Sequence, residues 1–184
     1  MAGMKMSNSF WKKQLSEKLK SLAPRFDARV AVVGVGAELN GDDAVGLLTA
    51  RKLLLKTEQR DNLLVLEGGA LPESVSGPLR RFDPDLLIFI DAADLGKPAG
   101  TIETVAPERI GGSSFSTHSM PLRILMDYLS EELRCDVMLI GVQPLNHDFG
   151  APLSTSGKKA AARLAAELSR QFTAAGLLSC EPRH

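Results

Sequence analysis

A chain of 184 residues is long enough to bury a core without disulfides, and one domain is expected at this length. Hydrophobic residues make up 44% and charged residues 24%, and 22 Lys plus Arg balance 22 Asp plus Glu. That composition is ordinary for a globular protein, and the balance leaves no basic excess to attract nucleic acid or an anionic membrane. No apolar run approaches the length that crosses a bilayer, and the N-terminus lacks a signal-peptide core, so a soluble cytoplasmic protein is expected. Cys135 and Cys180 form no CxxC or zinc spacing and read as ordinary reduced thiols.

In chain order, Met1 to Ser9 reads as a frayed arm. Ser9 is placed to cap a helix from Phe10 to about Leu22, with Trp11, Leu15, Leu19 and Leu22 on one face and Pro24 as its stop. Arg29 to Val35 is a valine-rich apolar run, the mark of a strand buried on both faces in a parallel sheet. Gly34 and Gly36 allow a tight turn after it. A helix is then expected from about Asp43 to Leu55, with an aspartate at its positive end.

Leu63 to Leu66 is the second strand, ending at Glu67-Gly68-Gly69, and Pro72 and Glu73 open a short amphipathic segment. Leu86 to Ile90 is the third strand and ends at Asp91. Thr101 to Val105 reads as an edge or antiparallel strand. Gly111 to Ser116 is a small-residue loop leading into Thr117-His118-Ser119-Met120-Pro121-Leu122 and a helix to about Leu133. Asp136 to Val142 is the last strand, followed by Gln143-Pro144. Ser154 or Thr155 caps a long Ala-rich helix to about Phe172. The domain plan is therefore an N-terminal arm and helix over 1–28, one α/β domain over 29–173 and a loose tail over 174–184. A monomer is expected, because no strip of exposed apolar residues is visible in the sequence.

Strands alternating with helices predict a three-layer α/β sandwich: a twisted, mostly parallel sheet with helices on both faces. Ligands of such sheets bind beyond the carboxyl ends of the strands. Asp43 follows the first strand, Glu67 ends the second, Asp91 ends the third and His118 stands at the start of a later helix. Two carboxylates and an imidazole suit a borderline divalent metal such as nickel or zinc, with positions left open for substrate or water. Structural readings stand beside this one. Asp42 or Asp43 also reads as a helix cap, Asp91 as a turn residue and His118 as a helix-start histidine bonded to backbone. Glu67 before two glycines reads as a turn former or a substrate contact, and His147 and His184 as exposed loop and tail residues. The Ser113, Ser114 and Ser116 cluster lacks a GxSxG elbow, and neither cysteine has an activating neighbour. A dinucleotide turn is disfavoured because four residues separate Gly36 from Gly41, and two aspartates would repel a pyrophosphate.

The pattern Gly34-x-Gly36-x-x-Leu39-x-x-Asp42-Asp43-x-x-Gly46 resembles the opening of the hydrogenase maturation proteases. The likeness continues through Glu67-Gly68-Gly69, Ile90-Asp91-Ala92-Ala93-Asp94, Thr117-His118-Ser119-Met120-Pro121-Leu122 and Gly141-Val142-Gln143-Pro144. It covers roughly residues 30 to 172 in the right order, and the last two segments look most like the formate-hydrogenlyase branch. The resemblance implies an aspartyl-type endopeptidase that removes the C-terminal peptide of the nickel–iron hydrogenase large-subunit precursor after nickel insertion. It assigns Asp43, Asp91 and His118 as both the metal-binding and the catalytic positions. The nickel is supplied by the precursor, and no organic cofactor is implied. Ala37 departs from the asparagine usual at that position, and Ala44 from a common glycine, which puts the local turn in question. A non-hydrolytic chaperone that senses a metal centre through the same three residues is the alternative.

Overall fold

A computed structural model describes residues 2–22, 25, 27–57, 61–106 and 122–178. Five strands form one sheet in the order β2-β1-β3-β5-β4, where β1 is Val30–Val35, β2 Leu63–Gly69, β3 Leu86–Ala92, β4 Ile102–Val105 and β5 Asp136–Val142. The first four neighbours in that order run parallel, and β4 pairs antiparallel on the edge beside β5. The mostly parallel sheet and the edge strand agree with the sequence expectation. Every residue of β1 and β3 is buried, as their unbroken apolar runs require.

Helices cover both faces. α1 (Ala2–Leu22), α2 (Val45–Leu54) and α5 (Thr155–Ala174) pack on one, where Trp11, Leu15, Leu53, Leu164 and Phe172 meet the alternate side chains Val30, Val32, Ile88 and Ile90. α3 (Ser76–Phe82) and α4 (Leu122–Leu133) cover the other, where Leu79, Leu125 and Leu129 meet Ala31, Val33, Leu87 and Phe89. Period-2 alternation in each strand thus feeds two separate cores. No helix among the described residues is long and apolar enough to cross a membrane.

Three boundaries differ from the sequence reading. α1 begins at Ala2, so Ser9 lies inside it rather than at its start; Ala, Met and Lys favour helix and no proline interrupts the segment. A 3-10 turn over Gly41–Ala44 precedes α2, which starts at Val45 rather than Asp43. Residues Ala174 to Leu178 are ordered instead of loose. Gly176 takes φ +77°, its N–H donates to Thr173 O, and Leu177 N–H donates to Phe172 O, the paired bonds of a Schellman cap. Leu177 and Leu178 are buried in the α5 core, a contact that ties down the helix end.

α1 is fastened as well as packed. Glu167 on α5 accepts from Lys12 Nζ at 3.2 Å and Gln171 Nε2 at 2.9 Å, and Gln171 also donates to Lys12 O at 3.1 Å. Gln14 bonds Thr104 of β4.

Candidate active site

The site is built where the carboxyl ends of β1 and β3 meet the start of α2. Close approach there demands glycine. A Cβ on Gly46 would lie 2.2 Å from both Ile90 O and Val35 O, and one on Gly34 would lie 2.3 Å from Gly46 O. Gly36 takes φ +131°, and a Cβ there would overlap Asp43 O at 1.8 Å. The Gly34-x-Gly36 and Gly46 positions therefore serve to drop the 3-10 turn onto the end of β3.

Asp43 and Asp91 are both buried. Asp43 Oδ2 accepts from Ala37 N–H at 2.7 Å, which closes the turn through the backbone. The turn thus forms with alanine at 37, without help from a side-chain amide. Asp91 lies inside β3, which runs on to Ala92, so it is not a turn residue. Its Oδ1 accepts from Ala92 N–H at 2.8 Å. Burial pushes the Asp91 carboxyl well above the usual range, the negative charge of Asp43 adds to the rise, and the Ala92 N–H opposes it. Among the described residues no lysine or arginine forms an ion pair with either carboxylate. Among the described residues the pair is a buried acidic site without a counter-cation, an arrangement that favours a divalent ion or a shared proton. His118 lies outside the described residues, and so does the loop from Gly111 to Ser116.

The neighbouring Asp42 has a different task, which the sequence did not separate from that of Asp43. Its Oδ2 accepts from Leu145 N–H and Ser154 Oγ, and its Oδ1 from Ser154 N–H, each at 2.7 Å. Ser154 caps α5 as expected, accepting from Gly157 N–H at 3.0 Å. Asp42 is thus a buried clamp that holds the β5–α5 loop and the start of α5 against the 3-10 turn. Gly157 is required beneath it, since a Cβ there would sit 2.7 Å from Asp42 Oδ1.

The other candidates separate. Glu67 is engaged by Arg51, whose Nε donates to Glu67 Oε2 at 2.8 Å while its NH1 pairs with Glu38. The ion pair occupies Glu67 beside the turn. Gln143 organises the β3–β4 loop: its Oε1 accepts from Leu95 N–H at 2.7 Å and Lys97 N–H at 3.2 Å. His147 is exposed. Burial pushes the Cys135 thiol up to about 11, which suits an inert core residue. Cys180 and His184 lie outside the described residues.

A family model described as hydrogenase maturation protease matches residues 47–171. The chain belongs to the hydrogenase maturation protease family. The matched stretch includes Asp91 and His118 and begins four residues after Asp43. The hydrogenase 3 maturation protease of Escherichia coli is 34% identical over 127 residues, which are 68% of this chain and 80% of that protein. A crystal structure of a nickel–iron hydrogenase maturation protease from Thermococcus kodakarensis shares 33% identity, with a TM-score of 0.72 over 83% of this chain and 99% of that one. The solution structure of an Escherichia coli endopeptidase of the family shares 31% identity, with a TM-score of 0.67 over 77% and 90% of the two chains. The chain is a hydrogenase maturation endopeptidase with that family's α/β fold.

Proposed function

We propose that this endopeptidase removes the C-terminal peptide of a nickel–iron hydrogenase large-subunit precursor, and that it selects the nickel-loaded form through Asp43, Asp91 and His118. The observation that carries the reading is the buried Asp43–Asp91 pair, which no lysine or arginine of the described residues neutralises. Two carboxylates and an imidazole are donors suited to nickel, and a cation borne by the substrate relieves the repulsion between the carboxylates. Nickel is part of the substrate in this scheme. Docking it on the three residues sets the scissile peptide bond on the rim beside Asp43 and Asp91, where water adds across the bond. The enzyme acts in the cytoplasm as a monomer and needs no organic cofactor.

The test is incubation with nickel-loaded and nickel-free precursor, read by intact mass. Loss of a C-terminal peptide from the loaded form alone is expected. Cleavage of both forms would remove nickel as the gate, and binding without cleavage would favour a metal-centre chaperone. His118→Ala is expected to abolish processing while leaving the melting temperature unchanged; normal cleavage by that variant would overturn the ligand assignment.

A further inference from the structure

Four of the eight large apolar side chains most exposed among the described residues lie on loops at one end of the sheet. They are Leu39 (63% exposed), Leu71 (55%), Leu145 (64%) and Phe149 (82%). Leu39 belongs to the β1–α2 connection, Leu71 follows β2, and Leu145 and Phe149 follow β5. All three connections leave carboxyl ends of strands, the end that carries Asp43 and Asp91. The other four, Phe10, Leu55, Ile124 and Tyr128, lie on helices or at a helix end.

Backbone hydrogen bonds join the loops that carry three of these residues. Gly150 N–H donates to Leu39 O at 2.7 Å, Gly41 N–H to Ala151 O at 3.2 Å, and Asp42 N–H to Asn146 O at 3.1 Å. Leu145 N–H is held by the Asp42 carboxylate. The loops of Leu39, Leu145 and Phe149 are thereby stitched edge to edge, and the strip runs directly into the turn that holds Asp43. Leu71 approaches from the other flank, where Gly36 N–H donates to Gly69 O at 3.0 Å. No strip is visible in the sequence because its members are scattered from position 39 to 149 and only the fold assembles them.

We infer that Leu39, Leu145 and Phe149, with Leu71 on the far flank, form the docking strip for an apolar stretch of the substrate polypeptide next to its scissile bond. This rests on the endopeptidase reading of the Asp43–Asp91 site. An endopeptidase must seat a polypeptide across its reacting groups, and the strip adjoins them: Leu39 stands four residues before Asp43, and Leu145 is bonded to the adjacent Asp42. Leaving large apolar side chains in water costs stability and solubility, and such patches on otherwise polar surfaces mark interaction sites. The ion-paired Glu38–Arg51–Glu67 group borders the strip and supplies a polar rim.

The test is the triple variant Leu39→Ser, Leu145→Ser, Phe149→Ser, with Leu55→Ser as the control. Both are measured against full-length nickel-loaded large-subunit precursor, for cleavage by intact mass and for binding to immobilised precursor. The triple variant is expected to raise KM and the dissociation constant by about tenfold or more, with kcat nearly unchanged and the melting temperature kept. Leu55→Ser is expected to change neither. Equal KM and equal binding in the triple variant would overturn the docking strip while leaving the protease reading intact. Binding by wild type without cleavage would overturn the protease reading, and the strip is then decided by the binding ratio alone. Wild type that neither binds nor cleaves overturns both.

Discussion

Replacing Asp42 with alanine removes a carboxylate that accepts three hydrogen bonds, from Leu145 N–H, Ser154 N–H and Ser154 Oγ. The serine hydroxyl keeps other partners in Gly157 N–H and Ser156. The two backbone N–H groups do not, and each orphaned donor costs about 1–3 kcal/mol. Asp42 is buried, so water replaces the carboxylate only in part. The sum is about 3–4 kcal/mol. For a chain of this length that corresponds to a fall in melting temperature of about 6–16 °C. Asp42→Asn keeps one acceptor oxygen and should lose about half as much. Ser154→Ala removes both the α5 cap and one Asp42 bond, for about 1–2 kcal/mol. Because the two residues touch, the double variant should be less destabilised than the sum of the singles by about 0.5–2 kcal/mol. Urea unfolding with matched m-values is the assay. A melting temperature for Asp42→Ala within about 2 °C of wild type, or strict additivity with Ser154→Ala, would refute the clamp.

Asp91→Asn removes a carboxyl whose charged form burial and Asp43 both disfavour, so the metal-free variant should melt about 2–6 °C higher while losing cleavage; a lower melting temperature would show that the carboxyl pair is not strained. Ala37→Asn should leave stability within about 0.5 kcal/mol, because Asp43 is held by the backbone N–H of residue 37, and calorimetry decides it. Glu167 concerns pH. Burial raises its pKa, but hydrogen bonds from Arg170, Gln171 and Lys12 outweigh that and hold it at about 2, below the ordinary 4.5. Its stabilising contribution is therefore fully present above the unfolded value and is lost as pH falls through the interval down to about 2. The full difference corresponds to at most about 3 kcal/mol, and solvent screening at the exposed Arg170 lowers it to about 1–2 kcal/mol. Wild type should exceed Glu167→Gln in stability by that amount near neutral pH and by almost nothing at about pH 2; a constant difference would refute the linkage.

Sequence alone determined the layers of this protein and the rim on which the carboxylates stand. Val30–Val35 and Leu86–Ile90 are apolar at every position, which only a strand covered on both faces tolerates, and that requirement implies helices on both sides. Asp91 follows from the same logic, since it stands where an apolar run ends, and Asp43 lies in the turn that follows the other run. Family membership was legible too, in glycines whose spacing the close approach of α2 to β1 and β3 enforces.

Tertiary structure alone decided how the two adjacent aspartates divide their work. Nothing local separates Asp42 from Asp43; one carboxylate turns toward residues more than a hundred positions away and the other toward Ala37. The same distance in sequence hid the apolar strip and the packing of Leu177 and Leu178, whose burial depends on a core assembled from the rest of the chain. Local propensity and periodicity report what a segment buries, whereas partners brought together by long loop closures are set by the packing of the whole sheet.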